Sequence, residues 1–349
     1  MAARIGVVGI GWWAVTMHIP TLQDCDGVEV AALCDLDEER LRVAGERFGI
    51  AARHRDLDRM LAEERLDGLV VATPHVAHAG PAVAGLEAGA HVLVEKPMAT
   101  SAQDARAIAE AAARTGRQVM VPTGLNFTKA AGQARAWLRD GRLGEVRHVV
   151  CQMGSPLDDL MAGRPMAETA DHLFRPPPST WADPARAGGY GWGQLSHALA
   201  WVAYVTDLGL DRMACLDGKS PTGVDYYDAG MGRFTNGATL ALSGASTVPK
   251  HVGMHTDVRI YGTDGMLVFS NLPARLELRR HDGRDAALPM TDFEGLYDGA
   301  LPVRAFARLC RGERVENASD ALNGLRVTAA LDALYRSAAS GRIEPTGVA

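Results

Sequence analysis

Short apolar runs alternate with longer helix-like stretches through the first 120 residues. The runs that resemble strands lie at 4–9, 28–35, 67–73, 91–95 and 118–121. The stretches that resemble helices lie between them at 37–48, 75–88 and 101–115. Strands with few polar residues are typical of a sheet covered on both faces. The alternation therefore predicts a parallel, doubly wound α/β domain.

The pattern changes after about residue 124. A helix is predicted at 130–139 and a strand at 146–153, and a proline-rich irregular segment follows at 155–187. Strand-like runs separated by glycines come next, at 213–219, 224–234, 238–246, 256–262 and 265–269. They predict an α+β domain with a large, mostly antiparallel open sheet and helices on one side. We therefore expect two domains, 1–124 and 125–349, with the closing helix at 319–340 as a candidate to pack back on the first domain.

Composition argues against several kinds of partner. The 349 residues are 47% hydrophobic and 22% charged, the net charge is −6, and no Lys/Arg-rich run occurs. Nucleic acid and membranes are therefore not expected as partners, and no apolar run reaches the ~20 residues of a membrane span. The five cysteines are scattered without a CxxC pair, which favours a reducing compartment. Because no signal-peptide pattern opens the chain, the expected location is the cytoplasm.

The first strand leads into the turn Gly9-Ile10-Gly11-Trp12-Trp13-Ala14. In a GxGxxA turn the two glycines allow a tight bend and a close approach of the backbone to a pyrophosphate, and the small third residue lets helix pack on strand. Such a turn does not by itself establish a dinucleotide site, because glycine turns between a strand and a helix are common. Gly9, Gly11, Trp12 and Trp13 are nevertheless predicted to contact a dinucleotide.

An acidic residue at the end of the second predicted strand strengthens this prediction. Asp35 lies about 20 residues beyond the glycines, where a carboxylate accepts hydrogen bonds from the adenosine ribose. It would repel a 2′-phosphate, and the residues that follow it, Leu36, Asp37 and Glu38, include no arginine. NAD is therefore favoured over NADP.

Two further groups of residues follow predicted strands. Thr73-Pro74-His75 follows the third, with His78 three residues later, and Glu95-Lys96-Pro97 follows the fourth. Ligands of open α/β sheets bind at the carboxyl ends of the strands, so Thr73 and His78 are candidates to contact the cofactor. Lys96 is a candidate to orient a substrate hydroxyl and remove its proton. The alternatives are a solvated lysine beside a proline turn and a helix-face histidine at His78.

In their order along the chain, these motifs resemble the Gfo/Idh/MocA oxidoreductases, the family of glucose–fructose oxidoreductase and inositol dehydrogenase. The resemblance rests on GIGWWA, CD, ATPHVAH, LEAGAHVLVEKP and GLNF. It implies a nucleotide-binding domain, a C-terminal domain whose open sheet forms homodimers or homotetramers, and a sugar or cyclitol substrate. It also implies that Lys96 is catalytic, that Pro74, His75 and Glu95 line the nicotinamide end, and that Asn126 lies near nicotinamide or substrate.

The stretch GGYGWGQLSHALAW at 188–201 departs from that family pattern. Members carry an aspartate four residues before a histidine, so that both lie on one helix face. Here His197 matches the histidine, but the aspartate position is Gly193 and a later acidic position is Ala200. His197 is expected to face the nicotinamide as an acid–base or hydroxyl-orienting group without its carboxylate, the alternative being a packed helix-capping histidine.

Several other side chains are weaker substrate candidates. Asp171 and His172 are acid–base groups in the irregular segment, Gln194 is a hydrogen-bonding group, and Tyr190 and Trp192 carry flat rings suited to a sugar or cyclitol. The alternative for the aromatic residues is ordinary packing. No catalytic metal is expected.

Three functions remain open. The leading one is an NAD-dependent oxidoreductase that transfers a hydride between nicotinamide and a secondary hydroxyl or ketone of a sugar or cyclitol. The second is redox-neutral glycoside cleavage by transient oxidation and elimination. The third is a non-catalytic, nucleotide-responsive binding protein, against which the Glu95-Lys96-Pro97 run argues.

Overall fold

The computed structural model describes residues 2–348 and divides into two compact units. The first unit runs to Pro122 and also includes Pro165–Thr180 and Gly299–Leu325. The second comprises Thr123–Arg164, Trp181–Asp298 and the chain from Arg326 onward. The segment at 165–180 thus belongs to the first unit although the sequence pattern assigns it to the second domain. The closing helix is divided between the two units.

A six-stranded sheet forms the centre of the first unit. Its order is β3-β2-β1-β4-β5-β6, and all its pairings are parallel. The strands are β1 Ala3–Val8, β2 Val28–Cys34, β3 Ala52–His54, β4 Gly68–Val71, β5 His91–Val94 and β6 Val119–Met120. The helices are α1 Ile19–Gln23, α2 Glu38–Phe48, α3 Leu57–Glu64, α4 Ala79–Glu87, α5 Ala102–Thr115 and α11 Ala300–Cys310.

Local sequence signals explain where these helices begin and end. The Asp37 carboxylate accepts from the backbone N–H groups of Glu39 and Arg40 at the start of α2. Gly49, in the left-handed conformation, ends that helix, as glycine does most readily. Apolar side chains of β1, β4 and β5 are almost completely buried, as expected for strands covered on both faces.

A nine-stranded sheet forms the second unit, in the order β14-β13-β12-β11-β7-β10-β9-β8-β15. Its pairings are antiparallel except that between β7 and β10. The strands are β7 Val146–Gly154, β8 Leu210–Lys219, β9 Asp225–Phe234, β10 Thr239–Ala245, β11 His255–Gly262, β12 Gly265–Asn271, β13 Ala274–Arg280, β14 Ala286–Leu288 and β15 Glu344–Pro345. The helices are α6 Lys129–Arg139, α7 Asp158–Met161, α9 Ser196–Thr206 and α10 Asp292–Gly295. Two further helices, α8 Pro178–Trp181 and α12 Ala321–Ser340, have residues in both units.

The predicted fold class is confirmed: a parallel sheet is followed by a mostly antiparallel one. The sequence pattern missed β3, α3, β13 and α11, together with the short elements α1, α7, α8, α10, β14 and β15. β3 has only three residues, too few for alternation to be visible. None of the helices between residues 2 and 348 combines the length and apolar character that a membrane span needs.

Candidate functional site

The glycine turn after β1 has the shape that a dinucleotide site needs. Gly9 has a φ of +87°, and a Cβ there would lie 2.5 Å from the backbone of Ala72 and Thr73. Only glycine fits this position, because a side chain would collide with the neighbouring strand end. A Cβ on Gly11 would meet nothing within 4 Å. The space in front of Gly11 is therefore open to a ligand that approaches the backbone.

Asp35 follows β2 and is tied directly to this turn. Its Oδ2 accepts from the backbone N–H of Ile10 at 2.6 Å, and its Oδ1 accepts from that of Asp37 at 2.9 Å. The carboxylate is partly exposed, and each oxygen can accept a second hydrogen bond. The turn and the carboxylate are thus held in one arrangement that fits a pyrophosphate beside Gly11 and a ribose at Asp35.

A π-helical turn, Ala14–His18, follows the glycines and brings His18 into the interior. His18 Nε2 lies 2.8 Å from Glu95 Oε1, and since a carboxylate only accepts, the histidine is the donor. Glu95 Oε2 accepts from the backbone N–H of Lys96 at 3.1 Å. His18 could not be predicted as a neighbour of Glu95, because it belongs to no recognisable motif in the sequence.

Glu95 and Lys96 shift each other's pKa. Burial raises the pKa of Glu95, but the hydrogen bond from His18 and the charge of Lys96 outweigh it and hold that pKa below its ordinary value. Burial lowers the pKa of Lys96, and the Glu95 carboxylate raises it only partly back. The site therefore contains a carboxylate beside an amine that loses its proton more readily than a solvated lysine.

His78 joins the two loops that carry the other predicted residues. Its Nδ1 lies 2.7 Å from the carbonyl oxygen of Pro97, and its Nε2 lies 2.8 Å from that of Thr73. The ring is completely buried. Burial lowers the pKa of His78 below its ordinary value, and the two carbonyl groups raise it only partly back. His78 therefore links the loops after β4 and β5. Both ring nitrogens face carbonyl oxygens of these loops, whereas the sequence predicted that His78 contacts a cofactor.

The remaining predicted residues of the first unit lie close to these groups. His75 is buried, and its ring centroid lies 6.1 Å from that of His78. Trp12 and Trp13 pack against each other, with centroids 5.1 Å apart. His172 contacts Trp12, whose Nε1 donates to its Nδ1 at 2.7 Å. Asp171, the neighbouring candidate, is exposed.

In the second unit, a π-helical turn, Gly191–Leu195, leads into α9. His197 lies in the first turn of α9, is buried, and packs edge-to-face on Tyr297 with centroids 5.2 Å apart. Asn126 is also buried and donates from Nδ2 to the carbonyl oxygen of Ala200 at 3.1 Å. Asn126 is thus tied to the same helix as His197.

An aromatic ring occupies the space beside Gly193. A Cβ at this position would lie 2.5 Å from Cζ3 of Trp181. No side chain fits at Gly193 unless Trp181 moves, since real Cβ atoms do not approach other atoms this closely. The indole of Trp181 therefore occupies the space that a side chain at this position would need.

Asp225 and Tyr335 hold the turn that precedes His197. Asp225 Oδ2 accepts from the backbone N–H of Gly191 at 2.7 Å, and its Oδ1 accepts from the Tyr335 hydroxyl at 2.8 Å. That hydroxyl accepts in turn from the backbone N–H of Trp192 at 3.1 Å. Two side chains far apart in sequence therefore satisfy two N–H groups of the turn, which no local pattern could indicate.

The rings of Tyr190 and Trp192, which were candidates to stack on a sugar or cyclitol, are packed in the interior. Tyr190 is fully buried, and its hydroxyl donates to the carbonyl oxygen of Met153 at 3.1 Å. Trp192 is stacked on Tyr335 with an interplanar angle of 5°. Gln194 is buried and accepts from Ser155 at 3.3 Å. The rings fill the interior because the glycines around them leave room that only large side chains occupy.

Two family models match the chain and together span most of it. The first, described as "Oxidoreductase family, NAD-binding Rossmann fold", matches residues 3–123. The second, the GFO/IDH/MocA C-terminal domain, matches residues 132–268. The chain belongs to the Gfo/Idh/MocA family. The first unit is accordingly an NAD-binding Rossmann domain, in agreement with the predicted cofactor.

Relatives in this family include named dehydrogenases. D-apiose dehydrogenase of Paraburkholderia graminis is 37% identical over 138 residues, covering 40% of this chain and 36% of that protein. Inositol 2-dehydrogenase of Salmonella typhimurium is 30% identical over 149 residues, covering 42% and 44%. The matches therefore span less than half of these relatives' own lengths.

Solved structures of oxidoreductases share the fold over nearly the whole chain. An oxidoreductase from Agrobacterium radiobacter, solved with NAD⁺, L-tartaric acid and magnesium, has a TM-score of 0.76. It is 20% identical, and the comparison covers 99% of both chains. At this identity the likeness concerns the fold alone.

The Asp225–Tyr335 pair gives a prediction on stability. Tyr335→Phe removes a hydroxyl that serves one carboxylate and one backbone N–H, both of which lose a partner. We expect the free energy of unfolding to fall by about 1–3 kcal/mol, measured by urea denaturation. Tyr261→Phe is the matched control, because that ring stacks on His148 away from the turn. Equal unfolding free energies in the two variants would contradict the assigned role.

Proposed function

We propose that this protein is an NAD-dependent oxidoreductase acting on a secondary hydroxyl or ketone of a sugar, cyclitol or derivative. The observation that carries the proposal is Lys96, held at the carboxyl end of β5 beside the buried Glu95 carboxylate, in an NAD-binding Rossmann domain. D-apiose and inositol are the substrates named for two relatives. These names favour a sugar or a cyclitol as the substrate of this chain.

The first unit provides the residues that would hold NAD. Gly9 and Gly11 admit the pyrophosphate, and Asp35 accepts from the ribose hydroxyls. When bound, NAD supplies the carbon that accepts or returns a hydride. The other proposed contacts near the cofactor are Trp12, Trp13, Thr73, Pro74, His75, Glu95 and Asn126.

Lys96 is proposed to move the hydroxyl proton. As a neutral amine it accepts the proton while the carbon is oxidised, and as an ammonium it returns the proton in the reverse direction. Its lowered pKa increases the neutral fraction at a given pH. The Glu95 carboxylate is already engaged by His18 and the Lys96 backbone, so Glu95 orients the lysine's chain rather than serving as a base.

Two histidines are assigned different roles. We propose His197 as a second acid–base or hydroxyl-orienting group, acting without the carboxylate that Gly193 cannot provide. His78 is proposed as a positioning residue, because it links the loops that carry Thr73 and Pro97. Asp171 remains a candidate substrate contact from the sequence alone.

Removal of Lys96 should separate binding from chemistry. We expect Lys96→Ala to lower the turnover number at least about a hundredfold, the usual range for a lost general base. NAD should still raise the melting temperature, because the glycine turn and Asp35 are intact. Hydride transfer is followed at 340 nm with a polyol panel, and Lys129→Ala, an exposed lysine, is the control.

The pH profile of the same enzyme provides a second check on Lys96. In the oxidative direction, the rate should rise with pH as the amine loses its proton, with a midpoint below the usual lysine pKa of about 10.4 because burial lowers it. Retained turnover in Lys96→Ala, or a profile without that rise, would rule out the role.

The ring of Trp181 beside Gly193 supports a second candidate function, redox-neutral glycoside cleavage. Because a carboxylate at Gly193 would collide with this ring, the acid–base groups differ from the family pattern, and a different reaction is compatible with that difference. That reaction oxidises a ring carbon, eliminates the aglycone as an alcohol, adds water across the resulting carbon–carbon double bond and returns the hydride to the oxidised carbon. Release of aglycone from a model glycoside without accumulation of NADH would favour it over net dehydrogenation.

The second unit has an exposed apolar face that fits a homo-oligomer. Leu216 on β8 is 78% exposed and Met231 on β9 is 66% exposed. Their strands are paired so that Leu216 lies opposite Ala229 and Met231 lies opposite Ala214. Apolar patches of this kind mark protein interfaces, and we propose that a second copy covers the sheet.

Light scattering tests this assembly. We expect the wild-type protein to have the mass of a dimer or tetramer, and Leu216→Glu and Met231→Glu to reduce it, because each places a charge in the apolar contact. Phe293→Glu, at another exposed apolar position (82% exposed), should leave the mass unchanged. A monomeric wild-type protein would refute the proposal.

A further inference from the structure

Residues 166–175 form a closed loop on the first unit, called here the strap. Arg175 closes it: Nη2 donates to the carbonyl oxygen of Met166 at 2.6 Å, and Nε donates to Oγ1 of Thr169 at 3.3 Å. Thr169 is buried. Prolines at 165 and 176–178 flank the loop and restrict its backbone. The strap is therefore held in one conformation by contacts within it.

Two side chains connect the strap to the rest of the unit. Nδ1 of His172 accepts from Nε1 of Trp12 at 2.7 Å, and the two rings lie 20° from parallel with centroids 6.2 Å apart. The guanidinium of Arg40 lies 5.8 Å from the ring centroid of Phe174. These contacts are only two residues apart along the strap.

Trp12 and Arg40 lie on the two elements that enclose a dinucleotide. Trp12 directly follows Gly11 in the turn after β1, and Arg40 lies in the first turn of α2, five residues beyond Asp35. In a Rossmann domain the dinucleotide passes across the carboxyl ends of these strands, with the pyrophosphate at the glycines and the ribose at the acidic residue. A loop that contacts both elements spans that path.

The hydrogen bond also determines the tautomer of His172. An indole nitrogen only donates, so Nδ1 of His172 is the unprotonated acceptor. The neutral ring therefore has its proton on Nε2, where it is a donor. The strap thus brings a hydrogen-bond donor next to the turn at which the anionic pyrophosphate would lie.

We propose that the strap is part of the NAD site and slows release of the nucleotide, with His172 and Phe174 as the residues that hold it closed. The proposal rests on the NAD-dependent function proposed above. It assigns His172 to cofactor retention instead of substrate binding. It also implies that NADH leaves only after the contacts of Trp12 and Arg40 with the strap are broken.

Nucleotide release measures this directly, without turnover. Protein loaded with NADH is mixed with excess NAD⁺, and the loss of bound-NADH fluorescence gives the dissociation rate. We expect His172→Ala to raise that rate about 3- to 10-fold, the equivalent of one hydrogen bond. Phe174→Ala should raise it about 2- to 5-fold, as for an exposed cation–π contact. Ser179→Ala, exposed just beyond the strap, should match wild type.

A double-mutant cycle distinguishes the loss of the Trp12–His172 contact from a general loss of stability. Trp12→Phe keeps an aromatic ring and removes the N–H donor, so its effect and that of His172→Ala should not add. Melting temperatures without nucleotide show whether a variant is merely unstable. If the variants release NADH at the wild-type rate, the strap has no role in retention, while the proposed function stands. If the wild-type protein binds neither NADH nor NAD⁺, the proposed function fails together with the strap.

Discussion

The buried carboxylate of Glu95 is the interaction on which the arrangement of the first unit depends. It is at the end of β5, accepts from His18 in the π-helical turn after the glycines, and accepts from the backbone of Lys96. A buried carboxylate without such donors would be costly, so the folded structure keeps both partners against it. The glycine turn and the lysine loop are consequently held in one arrangement. The same carboxylate partly offsets the effect of burial on the lysine's pKa.

The sequence predicts those features that depend on local backbone geometry. Gly9 is recognisable because a strand, a turn and a helix follow one another around it, and the structure shows that no side chain would fit there. Asp35 is recognisable because it ends the second strand. The domain class follows from the alternation of strand and helix, which repeats often enough to be unambiguous.

Contacts between distant segments could not be predicted. His18 reaches Glu95 across 77 residues, and Trp12 reaches His172 across 160. Neither partner has a spacing that would mark it. The irregular 165–180 segment appears in the sequence only as a proline-rich interruption, yet it folds onto the first unit. The role of Tyr190 and Trp192 could not be decided from the sequence, because aromatic residues among glycines occur in close packing as well as in open sites, and here both rings are buried.

Gly193 and Trp181 show how the second unit accommodates the departure from the family pattern. An indole occupies the space in front of Gly193, while Asp225 and Tyr335 satisfy the N–H groups of Gly191 and Trp192 in the preceding turn. The turn that leads to His197 is therefore held by groups outside it and does not need a carboxylate within it. Restoring an aspartate at Gly193 alone would force it against the indole. The acid–base role proposed for His197 must accordingly operate without a carboxylate at that position.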